Sequence, residues 1–261
     1  MKELFIMWKH TRMVVLTAVS AAVYAAVLIP FKPIPIIPGF TEIRPANVLP
    51  IISSLMFGPA AAWGTAFGNL IGDFFGTLGP GSIFGFMGNF LYGFIPYKVW
   101  GILSKEDPTI KGSKQLLKYL FLVFLASSVC GVVIGWGVDL LGLVPFSALA
   151  NIIIINNFLV ASILGPFLLI ILYPRIKRWG LLYSDILEER ELRRKNLRGL
   201  GLILISIGSL GGVVLGNLIS LGIYHSGFLG AGFLKGTTGS FGISLGMVPV
   251  ILLIFIASVV L

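Results

Sequence analysis

Charge is scarce in this chain. Asp, Glu, Lys and Arg make up 11% of its 261 residues, against about 25% in an ordinary soluble domain, and 57% of the residues are apolar. That balance excludes a water-soluble globular protein. Cysteine is nearly absent: one residue, Cys130, in an apolar run, which excludes a disulfide framework and fits a small buried hydrophobe. With two histidines, His10 and His225, no Cys/His metal spacing exists, and neither an H-E-x-x-H pair nor a Walker A lysine loop is present. No metal or cofactor is expected, and energy from ATP would have to come from another chain. The net charge of +9 does not indicate nucleic acid, because the bases sit in loops between apolar runs and no nucleic-acid-binding motif accompanies them.

What the chain has in abundance is apolar length, glycine (33 residues) and phenylalanine (20 residues). A membrane-spanning helix needs about 20 predominantly apolar residues. Spans are expected near residues 13–31, 46–57, 60–78, 82–103, 117–143, 152–173, 200–223 and 241–261. The second is short, with Pro45 and Pro50 in or before it, and Gly58-Pro59 forms a tight turn into the third. Met1–Arg12 is basic and precedes an apolar run, but no small-x-small cleavage site ends that run, so it reads as the first span rather than a signal peptide. With the N-terminus inside, sixteen of the nineteen Lys and Arg residues fall in inner segments; Lys32, Arg44 and Lys235 remain outside. By the positive-inside rule both termini face the cytoplasm.

Three divisions follow: a six-span domain over residues 1–175, a charged cytoplasmic linker over 176–198, and a two-span extension over 199–261. In the linker, Asp185, Glu188, Glu189 and Glu191 precede Arg193, Arg194, Lys195 and Arg198, an arrangement suited to a surface helix with acid-to-base pairs near i,i+4.

Polar residues inside apolar spans are costly and mark functional sites. Asn69, Asp73, Asn89, Asp139, Asn151, Asn156 and Asn157 all map to the outer half of spans three to six, with Tyr92 and Trp136 in the same spans. One depth shared by so many polar groups suits a mostly apolar pocket with a few placed hydrogen-bonding groups; helix-to-helix pairing of the asparagines is the competing reading. Glu42 and Arg44 lie before span two and read either as site residues or as a surface ion pair of little energetic weight. Small residues recur at helical spacing in span three (Ala60, Gly64, Gly68, Gly72, Gly76), in span seven (Gly208, Gly212, Gly216) and in span one (Ala18, Ala22, Ala26, widened by Ala21 and Ala25). Such stripes permit close helix contact, within the protein or with a partner.

Three of these segments together carry a resemblance: Ala18/Ala22/Ala26; the run Ile43-Arg44-Pro45-Ala46-Asn47-Val48-Leu49-Pro50 followed by Phe57-Gly58-Pro59; and Gly68-Asn69-Leu70-Ile71-Gly72-Asp73. The chain resembles the membrane-embedded substrate-binding subunit, or S component, of energy-coupling factor (ECF) vitamin transporters, with its nearest likeness in the queuosine-precursor branch. The resemblance covers the first 175 residues. It implies an all-α, six-helix bundle in a prokaryotic plasma membrane, to which this chain adds two C-terminal transmembrane helices. It further implies a small-molecule ligand entering from outside, and partners in a transmembrane coupling subunit and cytoplasmic ATPases. In the family the loaded subunit topples within the membrane, with the alanine motif as its docking contact; Ala18, Ala22 and Ala26 match that motif. The loop Lys32–Arg44 would cap the pocket. Ligand contacts are expected from Arg44, Asp73, Asn89, Trp136, Asp139, Asn156 and Asn157. An ion-coupled secondary carrier using Asp73 and Asp139 is the alternative, and a ligand-free assembly subunit a third reading.

Overall fold

The computed structural model describes residues 2–42, 44–188, 191, 197–223, 239 and 241–261. A short helix α1 (Glu3–Ile6) and a single 3-10 turn lead into α2 (Thr11–Leu28). The loop that follows folds back as a hairpin of β1 (Pro35–Ile37) and β2 (Thr41–Glu42), antiparallel with a register break. Then come α3 (Val48–Phe57), α4 (Pro59–Asp73), α5 (Ser82–Leu103), α6 (Ser113–Leu140), α7 (Phe146–Arg178), the one-turn α8 (Tyr183–Ile186), α9 (Arg198–Ser220), α10 (Phe241–Gly246) and α11 (Val248–Val260).

The order of the eight expected apolar helices is reproduced. Among the described residues, however, five segments are long and apolar enough to cross a membrane by themselves: those built on α2, α6, α7, α9 and α10–α11. The other three lie within the bundle. Helix α3 has ten residues and so rises only about 15 Å; it ends at Gly58, whose φ of +52° is open to glycine and reverses the chain, with Pro59 at the first position of α4. Nearly all of α3 and most of α4 are buried, so their neighbours, not lipid, set their length. Helix α6 is the central post: 83% of its apolar window is buried, against 33% for α7, which turns Ile155, Leu159, Ile163 and Phe167 outward.

Small residues fix the packing. A Cβ on Gly64 would stand 2.5 Å from Cβ of Ser20 and 2.8 Å from the Thr17 carbonyl, and one on Gly68 would stand 2.8 Å from the Ala21 carbonyl. The glycine stripe therefore presses α4 along α2, the two running parallel. The inner partners on α2 are Ser20, Ala21, Tyr24 and Leu28, whereas Ala18, Ala22 and Ala26 are exposed together with Val15, Val19, Val23 and Val27. The glycines of α9 are also used internally: Gly208 faces Ile254 of α11, and Gly212 sits between Val132 of α6 and Val250. They are not an outer docking face.

Contacts across α4/α5, α6/α7 and α9/α11 run antiparallel, so one end of the bundle gathers the β1–β2 loop, the α4–α5 loop and the α6–α7 turn. The opposite end gathers the N-terminus, the Gly58 turn and the α5–α6 loop. There the buried Glu3 pairs with Lys98. The helix expected across the linker does not extend through its described part: α8 stops at Leu187, which is extended (ψ 138°). Glu189, Arg190 and residues 192–196 lie outside the described residues, as do His225 and Lys235.

Candidate functional site

At the loop end lies a cavity of about 300 Å³, at the small end of the range for small-molecule sites. Its polar wall is Arg44, Asn69, Asp73, Thr77, Ser82 and Asn89. Its apolar wall is Ile134, Val138, Leu143, Leu149 and Ile153, and Phe40 and Pro80 stand at the rim.

Helix α4 supplies the polar wall for a geometric reason. Its glycines face α2, so Asn69 and Asp73, one turn apart, face α5. Gly85 on α5 leaves them room: a Cβ there would stand 3.1 Å from Nδ2 of Asn69 and 3.7 Å from Oδ2 of Asp73.

The loop before α3 brings charges down onto this face. Lys32 Nζ lies 3.1 Å from Oε1 of Glu42 and 3.5 Å from Oδ1 of Asp73, and it donates to Thr77 Oγ1 at 2.5 Å. Arg44 Nε lies 3.0 Å from Oε1 of Glu42, while Arg44 Nη1 donates to Asn69 Oδ1 at 3.2 Å. Asn69 Nδ2 in turn donates to Asp73 Oδ2 at 3.3 Å, and Thr77 donates to Asp73 Oδ1 at 2.8 Å. Two bases and two acids thus form one linked group. Burying any of them alone would be severely unfavourable, and pairing each with its opposite offsets part of that penalty.

A second polar layer lies beneath. The Tyr24 hydroxyl sits 3.1 Å from Oδ1 of Asn47 and 3.2 Å from Oδ1 of Asn89. Asn47 Nδ2 donates to Asn157 Oδ1, and the Tyr92 hydroxyl donates to the Asn47 carbonyl at 3.0 Å. Asn89 belongs to both layers.

Of the seven residues expected to contact ligand, Arg44, Asp73 and Asn89 line the cavity. The other four have different settings. Asn157 belongs to the lower layer. Asn156 Nδ2 donates to the Glu42 carbonyl at 3.1 Å, steadying the hairpin. Trp136 Nε1 donates to the Ser244 carbonyl at 3.2 Å and its ring packs edge-on to Phe84. Asp139 accepts from the backbone N–H of Phe146 at 2.6 Å and of Gly239 at 2.9 Å. The Glu42–Arg44 pair is not a surface feature, since Glu42 is 1% exposed. Sequence reasoning passed over Lys32, Thr77 and Tyr24; a lysine in a loop between two spans carries no mark of being folded inward.

Among the described residues no cluster of three or more His, Cys, Asp or Glu could hold a metal ion. The pentad Gly242-Ile243-Ser244-Leu245-Gly246 has the G-x-S-x-G spelling but forms the helix α10, not the strand-to-helix turn that exposes a nucleophilic serine.

A family model described as "QueT transporter" matches residues 14–174, from the first turn of α2 almost to the end of α7, and so includes every residue of the cavity wall. The chain belongs to the QueT transporter family. It is therefore a multi-pass membrane transport protein, an S component of ECF-type micronutrient uptake. No curated protein and no solved structure matches the chain. Helices α9 to α11 lie beyond the part shared with the family.

Proposed function

We propose that this protein captures a queuosine precursor, a planar nucleobase-like molecule, from the outer face of a prokaryotic plasma membrane and hands it to a transmembrane coupling subunit driven by cytoplasmic ATPases. The observation that carries the ligand reading is the cavity. A carboxylate (Asp73), a guanidinium (Arg44) and two amides (Asn69, Asn89) line one cavity with the aliphatic side chains of Val138, Leu149 and Ile153. Such a site can pair with the donors and acceptors on the edge of a heterocycle while apolar side chains cover its faces.

The direction of capture follows from charge. Lys2, Lys9, Arg12, Lys105, Lys111, Lys114 and Lys118 belong to the end opposite the cavity, and Lys32 and Arg44 to the cavity end. The positive-inside rule then sets the cavity outward and the N-terminus in the cytoplasm. The coupling surface is the exposed side of α2, where Ala18, Ala22 and Ala26 form a flat strip that a partner helix can approach closely.

The ion-coupled carrier would need Asp73 and Asp139 as exchangeable carboxylates. Both oxygens of Asp139 are engaged by backbone N–H groups, and Asp73 is already paired with Lys32. Neither arrangement favours that mechanism.

The test is to purify the protein gently, denature it and identify released small molecules by mass spectrometry, with a folded Asp73→Ala/Asn89→Ala variant as control. A stoichiometric deazapurine-type base that is absent from the control supports the proposal. An unrelated compound held equally by both proteins overturns it.

A further inference from the structure

We propose that the C-terminal helices α9–α11 belong to the binding half of this protein, and that Asp139 is a positioning residue through which they hold the apolar wall of the cavity. Three observations converge on the α6–α7 corner. First, Asp139 lies in the last turn of α6 and is 2% exposed. Its Oδ2 accepts from the Phe146 N–H that opens α7, and its Oδ1 accepts from the Gly239 N–H that precedes α10. One carboxylate therefore satisfies an orphan donor of α7 and ties in the extension at the same time.

Second, independent bonds fasten the first turns of α7 to α9. Ser147 N–H donates to Ser220 Oγ at 3.1 Å, and the amides of Asn151 and Asn217 donate to each other at 2.7 and 3.1 Å. Third, the same corner supplies four side chains to the cavity: Val138, Leu143, Leu149 and Ile153. Every fastening thus lies within a few residues of the wall, and none lies in it. Among the described residues, α9–α11 leave the alanine side of α2 uncovered. They brace the site without occupying the coupling face.

The inference takes the cavity as the ligand site from the reading above, so its primary test uses no ligand. Leu149, 1% exposed, is changed to Cys in the full-length protein, and its modification by a water-soluble maleimide is timed; buried Cys130 gives the background. Asp139→Ala and, separately, Asn217→Ala/Ser220→Ala each remove more than one bond and should each raise the labelling rate at least about tenfold, the population shift expected from losing even one strong hydrogen bond. Asp139→Asn, which keeps one acceptor, should fall between. Unchanged labelling in the folded Asn217→Ala/Ser220→Ala protein overturns the proposal and leaves Asp139 as a cap of α7 alone. Should Asp139→Ala fail to fold, the extension-side variant decides by itself. If labelling rises but affinity for a deazapurine base does not fall, the bracing stands and the assignment of the cavity to that ligand fails.

Discussion

Replacing Ala22 by leucine should abolish uptake and leave ligand binding intact, and the contrast with its neighbour makes the experiment informative. Successive residues on a helix are turned by about 100°, and the structure shows what that turn does here. Ala21 is 5% exposed, against the glycine stripe of α4; Ala22 is exposed, on the outer strip with Ala18 and Ala26. A leucine at position 21 has no space: even one added carbon on Gly64 opposite would come within 2.5 Å of Ser20. A leucine at position 22 meets only lipid or a partner. Overpacking a close helix contact costs about 1–3 kcal/mol, roughly a 5- to 150-fold loss of association. Uptake of labelled precursor would be measured in cells that also contain the coupling subunit and ATPases, and binding would be measured on the purified protein. Ala22→Leu should fold and bind normally while uptake collapses; Ala21→Leu should lose folded protein. Normal uptake by Ala22→Leu would refute α2 as the coupling face, and loss of binding would refute the separation of coupling face from site.

Asp73→Ala removes a charge-assisted acceptor for Asn69, Thr77 and Lys32 and should weaken ligand binding by about 1.5–3 kcal/mol, read by calorimetry on protein that still elutes as a folded monodisperse species. Gly64→Val should lower the melting temperature sharply, whereas Gly211→Ala, with nothing within 4 Å of the added carbon, should not; a thermal shift assay in detergent separates the two. At the end of the bundle that holds the N-terminus, burial by itself would raise the Glu3 carboxyl, but the adjacent Lys98 overrides it and holds the pKa at about 2, below its ordinary 4.5. A lowered folded-state pKa stabilises the protein above the unfolded value, so about 3 kcal/mol should be lost as pH falls from about 4.5 toward 2. In Glu3→Gln the melting temperature should lose this dependence over the same window.

Depth was legible in the sequence; azimuth was not. The spans, their order and the level at which polar residues gather all follow from hydropathy and position along each helix. Which way a residue points about its helix axis depends on neighbours, and that is where the expected site divides. Asn69 and Asp73 face the cavity because the glycines beside them take α4 against α2, a relation the i,i+4 spacing alone half revealed. Trp136 and Asp139 share their depth, but Trp136 points to α10 and Asp139 to Gly239 as well as the start of α7, so each has a partner outside the six-span domain. Lys32 was hidden, and the burial of Glu42 with it, for a different reason. A loop's polar residues are ordinarily solvated, and only the β1–β2 hairpin, held by Asn156, carries both into the protein.

The linked quartet Lys32, Glu42, Arg44 and Asp73 sums to zero charge, and this bears on voltage. Moving one elementary charge through a potential of 100 mV involves about 2.3 kcal/mol. Were the subunit to swing its loaded chamber across the bilayer, this balanced quartet would add no such electrical load. An uncharged base would then travel at a rate indifferent to membrane potential, whereas a cargo bearing a net charge would unbalance the chamber and make each crossing sensitive to the cell's energised state.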